Sequence, residues 1–196
     1  MDMPRVRSAT ADERQAVISS MTLAFTADPF NRWYLTDADR YLRYFPQIVD
    51  GILGPALDAG TCYVTDGLEG VAIWLAPGAA PDEEKLAELF AAAPPAHLAT
   101  ELGNLLAAFE NYHPHDDDCW YLPLIGVDPA HQGKGLGAAL MKHATDMIDA
   151  QGALSYLESS SPRNLPLYER HGFERMGDLP FGDAGGVATP MLRTRR

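Results

Sequence analysis

The spacing of apolar positions predicts an alternation of short strands and amphipathic helices. Val6 sits in a short extended run, and Val17, Met21, Ala24 and Phe25 then recur at helical spacing. Thr10 and Glu13 are spaced as a capping box, in which hydroxyl and carboxylate each satisfy an orphan amide at the start of that helix. A longer helix is predicted from about Asp37 to Ala59, with Leu42, Phe45, Val49, Ile52 and Leu53 inward and Pro46 as a point of kinking or division. Thr61 to Thr65 and Val71 to Ala76 read as a hairpin turned by Asp66-Gly67. A shorter helix then ends near Phe90. Pro94-Pro95 separates it from a second, in which Leu98, Leu102, Leu105, Leu106 and Phe109 form one stripe. Trp120 to Val127 is a strand, and Gly133, Gly135 and Gly137 open a helix whose buried face holds Leu136, Leu140, Ala144, Met147 and Ile148. Leu154 to Glu158 is a strand again, Asn164 to Arg170 a short helix, and His171-Gly172-Phe173 turns into the final strands. Strand, Gly turn, helix, strand is a βαβ-like unit, so the expected class is α/β (α+β) with a mixed sheet.

Composition narrows the partners. The chain has 196 residues, 46% hydrophobic and 21% charged, which fits one domain over residues 4–196. Fifteen Lys and Arg against 27 Asp and Glu leave a formal charge of −12, which argues against nucleic acid and favours small cationic substrates. The 78–119 stretch carries much of that charge: Asp82, Glu83, Glu84, Glu88, Glu101, Glu110, Asp116, Asp117 and Asp118 against Lys85 alone. It reads as a helical insertion between two strands. Cys62 and Cys119 are too few for a disulfide scaffold. No secretory signal precedes the first strand and no apolar run approaches ~20 residues, so the expectation is a cytoplasmic protein that does not engage membranes, a monomer or homodimer.

The chemically informative stretch is Gln132-Gly133-Lys134-Gly135-Leu136-Gly137. Glycines allow positive φ, and amides at a helix N-terminus face an anion with the positive end of the dipole. A Walker A loop is excluded because Gly135, not Ser or Thr, follows Lys134. A dinucleotide fingerprint is excluded because only Leu136 separates Gly135 from Gly137. The cluster alone equally describes a tight turn at a helix start.

Its surroundings decide. Val127-Asp128-Pro129, the loop Gln132 to Gly137, then Leu157-Glu158, Asn164, Tyr168 and Gly172-Phe173, resemble the GNAT acyl-CoA N-acyltransferases. The run Leu157 to Arg170 resembles the puromycin N-acetyltransferase branch. The resemblance is densest over Trp120 to Phe173. It implies a mostly antiparallel sheet, flanked by helices and splayed beside the strand ending near Val127. Pro123 suits such a gap, or an ordinary bulge. It implies an enzyme moving an acetyl group from acetyl-CoA to an amine by direct attack, with no metal.

On that resemblance, Gln132, Gly133, Lys134, Gly135, Leu136 and Gly137 hold the CoA pyrophosphate. Leu124, Ile125, Gly126 and Val127 pair with the pantetheine arm, and Asn164 supports the cofactor or the Tyr168 helix. The Val127 amide faces the developing oxyanion, and Tyr168 protonates the leaving thiolate. Glu158 is either the proton acceptor or a recognition site for a cationic substrate. Phe25, Trp33 and Tyr34 line the acceptor pocket. The leading substrate is a small-molecule amine. The rivals are a protein lysine or N-terminal acetyltransferase and an acyl-CoA-binding regulator without turnover. His113, His115 and Asp116 to Asp118 read as a polar loop rather than a metal site, and Cys119 as a small buried hydrophobe.

Overall fold

The computed structural model describes residues 4–115 and 118–195. The strands are β1 (Val6–Ser8), β2 (Cys62–Thr65), β3 (Gly70–Leu75), β4 (Cys119–Val127), β5 (Leu154–Ser159), β6 (Glu174–Arg175), β7 (Leu179–Phe181) and β8 (Gly186–Arg193). They form one sheet in the order β1-β2-β3-β4-β5-β8-β6, with β7 also paired to β8. Every pairing is antiparallel except β4 with β5.

That parallel pairing is short. β4 faces β5 only from Cys119 to Leu122, whereas its ladder with β3 continues to Val127. β5 instead runs on against β8, through Glu158 to Ser159. The sheet therefore opens like a V after Leu122. Pro123 stands at the branch point, and the register with β3 also shifts there, two residues of β4 facing Trp74. Gap and bulge coincide, because a residue without an N–H costs neither ladder a hydrogen bond.

Helices cover both faces. α1 (Arg14–Ala24) and α3 (Ala38–Asp58) bury Val17, Met21, Phe45, Val49 and Leu53 against Val71 and Ile73. On the other face α6 (Leu136–Ala150) and α7 (Leu165–Arg170) pack Leu140, Met141, Ile148 and Tyr168 with Trp74, Leu157 and Phe173. The capping carboxylate of Glu13 accepts from the Thr10 amide at 2.9 Å and is forked by Arg7.

α4 (Glu83–Ala92) and α5 (Ala99–Glu110) make up the predicted insertion, and α2 (Pro29–Tyr34) links α1 to α3. The insertion is pinned rather than loose. Leu86 packs 3.1 Å from where a Cβ on Gly51 would lie, so a larger residue there would press on the Leu86 side chain. Lys85 pairs with Asp50 at 2.7 Å, and Arg40 donates to the Ala93 carbonyl at 2.8 Å.

Two sequence expectations need correction. α3 is not divided at Pro46: it runs unbroken through Pro46 and Pro55. Leu42 is not inward but 63% exposed. Tyr41 reaches Thr22 in the last full turn of α1, which ends at Ala24, and Leu42 lies one step further round α3 with no cover. The hairpin turned at Asp66-Gly67 forms as expected, with Leu68 its left-handed residue at φ 62°.

Candidate active site

Two cavities meet where the sheet opens. The larger, about 1130 Å³, runs between the end of β4, α7 and the β7–β8 hairpin, and Gln132 and Gly137 lie in its lining. Gly133 and Gly135 adopt φ of 76° and 80°, with open space where a Cβ would project. Gly135 caps α6, so the loop turns left-handed twice and delivers the unpaired first-turn amides of a 15-residue helix beside the cleft. Gly133, Lys134, Gly135 and Leu136 stand at that helix start rather than in the lining itself.

The edge of β4 supplies a second set of backbone groups. The Asp128 amide bonds the Glu69 carbonyl at 2.7 Å, one residue beyond the Gly70–Val127 pair. Antiparallel ladders alternate, so Val127 and Ile125 direct their own amides and carbonyls away from β3 and into the gap. The Val127 carbonyl is taken by the Gln132 side chain at 3.2 Å, which ties the glycine loop to the strand and leaves the Val127 N–H aimed at the cleft. Gly126 between them must be glycine: a Cβ would lie 2.6 Å from that of Ala24 on α1.

The smaller cavity, about 310 Å³, lies beneath α4 and α5. It shares Phe25, Ile125, Asn164 and Tyr168 with the larger one, so those four residues form the junction. Leu124 faces this cavity, and Ile125 faces both. Of the aromatic residues expected in the acceptor pocket, Phe25 and Tyr34 line it. Trp33 instead lines the larger cleft, 5.2 Å from the Phe181 ring.

Glu158 lies in the lining of the smaller cavity. Being on β5 just past the branch point, it has lost β4 as a neighbour but keeps Tyr121, whose hydroxyl donates to its Oε2 at 2.7 Å. Burial pushes its carboxyl up to about 7, Tyr121 opposes that by bonding the charged form, and the negative Glu110 reinforces it. The buried Tyr156 hydroxyl stands beside the same carboxylate without a hydrogen bond of sound geometry. Tyr168 is 5% exposed, and burial, with Asp28 adding to it, holds the phenol protonated far above its ordinary range.

Four residues here escaped the sequence reading. Tyr121 and Glu110 face Glu158. Asp28, raised by burial, accepts from the amide of Asn31 at 2.9 Å and from the Ser160 hydroxyl, joining α2 to the end of β5 beside the cleft. Asp28-Pro29 is a helix-start signal, the one trace of this in the sequence. Of the other residues considered, His113 packs edge-on against Tyr121 and Tyr156, at 5.2 and 4.9 Å. Asp116 and Asp117 lie outside the described residues. Cys119 is buried, and burial pushes the Cys62 thiol up to about 12.

Known proteins share this fold. The Mycobacterium tuberculosis N-alpha-acetyltransferase RimI is 44% identical over 55 residues, 27% of this chain and 34% of that protein. A mycothiol acetyltransferase from Beutenbergia cavernae is 43% identical over 53 residues, 26% of this chain and 18% of that protein. The chain thus spans only a fifth to a third of these curated relatives. A Corynebacterium glutamicum structure described as histone acetyltransferase HPA2 and related acetyltransferase superposes over 100% of this chain and 98% of that one, at TM-score 0.70 and 24% identity. An agmatine N-acetyltransferase does so over 97% and 99%, at TM-score 0.64 and 16% identity. Residues 69–173, more than half of the chain and the part holding β4, the glycine loop and Tyr168, match the acetyltransferase (GNAT) family, and the protein is a member of that family.

Proposed function

We propose that the protein transfers an acetyl group from acetyl-CoA to the amine of a small molecule by direct attack. The observation that carries this is the meeting of a long cleft and a small roofed pocket at Tyr168 and Asn164, with Glu158 in the pocket's lining. The residues present suit CoA: open left-handed glycines and free first-turn amides for a pyrophosphate, and outward backbone groups of Ile125 and Val127 for an amide-bearing arm.

The chemistry then divides among few groups. The amine nitrogen bonds the thioester carbonyl carbon and the carbon–sulfur bond breaks. Glu158 accepts the proton the amine loses, directly or through one water. The Val127 N–H donates to the carbonyl oxygen as negative charge gathers there. Tyr168, kept as the phenol by burial, gives its proton to the departing thiolate. Asn164 lies at the junction and orients the substrates.

The roof formed by α4 and α5 favours a small acceptor over a protein chain, which needs an open groove. The presence of Tyr168 at the junction and of Glu158 in the adjoining pocket favours turnover over a purely regulatory role. Within the family, the Leu157–Arg170 run supports a place near the puromycin N-acetyltransferase branch. The test is calorimetric titration with acetyl-CoA of the protein and of Gly135→Glu, whose side chain enters the amide cradle. Micromolar binding lost in the folded variant supports the reading, and absence of binding to the folded wild type refutes it.

A further inference from the structure

The acceptor pocket has a chemical bias of its own. Phe30, Tyr34, Phe90 and Phe109 form its body: the Phe30 ring lies 5.3 Å from Tyr34 and 6.3 Å from Phe109, and Tyr34 lies 6.0 Å from Phe90. Ile48, Ile52, Leu86 and Leu106 add apolar lining, and Asn31, Ser160 and Asn164 add polar lining. Among the described residues, the charged members of the lining are two carboxylates, Glu110 and Glu158.

Glu110 is oddly placed for stability. It is the last residue of α5, the helix end whose dipole disfavours an anion. Among the described residues it has no ion pair. Its charge acts on Glu158, Tyr121 and Tyr156, so it adds to the negative field at the proposed base. A bound ammonium would relieve both carboxylates at once.

We propose that the pocket selects a compact primary monoamine with an aromatic body, its ammonium held between Glu110 and Glu158, with Glu110 a specificity residue. This rests on the proposed acetyl transfer. At about 310 Å³ the pocket is at the small end of the range for small-molecule sites, ~300–1,000 Å³. A second cation would find no carboxylate in the pocket beyond that pair, and burying it without a partner costs several kcal/mol. A free carboxylate on the acceptor would meet two like charges. A peptide of several residues exceeds the volume.

The decisive experiment follows CoA release with saturating acetyl-CoA and four acceptors: 2-phenylethylamine, agmatine, glucosamine and a glycine-initiated tripeptide. The proposal expects 2-phenylethylamine to exceed the others in kcat/KM by at least about tenfold. It expects Glu110→Gln, a surface-accessible and isosteric change, to raise the KM for this amine by about tenfold while kcat moves far less. Glu158→Gln should lower kcat instead. A faster reaction with any other acceptor, or a KM untouched in folded Glu110→Gln, overturns the proposal. So does acetyl-CoA binding without turnover of any amine. Failure to bind acetyl-CoA at all refutes the acetyl-transfer reading itself, so the two failures are distinguishable.

Discussion

Removing the Tyr121 hydroxyl should make Glu158, the proposed base, harder to ionise. Burial lifts Glu158 from an ordinary 4.5 to about 7, which corresponds to roughly 3 kcal/mol against its charged form. Tyr121 limits that lift through a 2.7 Å bond to a charged acceptor, an interaction typically worth ~1.5–3 kcal/mol. Tyr121→Phe deletes the donor with little change in volume, so the Glu158 carboxyl should move up by about one to two pH units. Glu110→Gln removes a like charge and should move it the other way. The assay is kcat/KM for CoA release across pH 5.5–9, which reports the free enzyme. In the wild type kcat/KM should rise with pH and level off above about 7. The limb shifts upward in Tyr121→Phe, downward in Glu110→Gln, and vanishes in Glu158→Gln. Stability has the opposite slope. A raised carboxyl contributes fully below its unfolded value near 4.5 and that contribution is lost as pH rises through about 7, so Glu158→Gln should gain urea resistance above pH 7. A limb near 4.5, or one unmoved by Tyr121→Phe, would refute the base assignment.

The remaining expectations concern other parts of the frame. Tyr168→Phe should lower kcat by ~10²-fold or more with little change in acetyl-CoA affinity by calorimetry, since only a proton donor is lost. Gly126→Ala should destabilise the protein by about 1–3 kcal/mol in thermal melts, because its Cβ would sit 2.6 Å from that of Ala24 and α1 would have to shift. Arg193, 2% exposed, is forked by Asp149 at 2.6 Å on both oxygens and also donates to the His171 carbonyl. Asp149→Ala should therefore strand a buried guanidinium and cost about 3 kcal/mol in urea unfolding.

Local chemistry explains what the sequence disclosed. The glycine loop, the helix after it and the strands on either side are specified within a few residues by φ requirements and apolar spacing, and the structure reproduces them. The insertion was legible in its prolines and Leu stripe. The base's surroundings were not. Tyr121 and Glu158 are 37 positions apart and meet only because β4 and β5 run parallel up to Leu122. Glu110 reaches the same carboxylate from a helix packed across the sheet. Leu42 and Trp33 differ for the same reason: helical spacing marks an apolar face but not where the neighbouring element ends.

The central claim is direct transfer at the junction of the two cavities, and initial-rate kinetics with both substrates varied test it most directly. The account predicts intersecting double-reciprocal lines and an intact-protein mass unchanged by acetyl-CoA alone. Parallel lines, with an acetylated protein accumulating in the absence of amine, would contradict it.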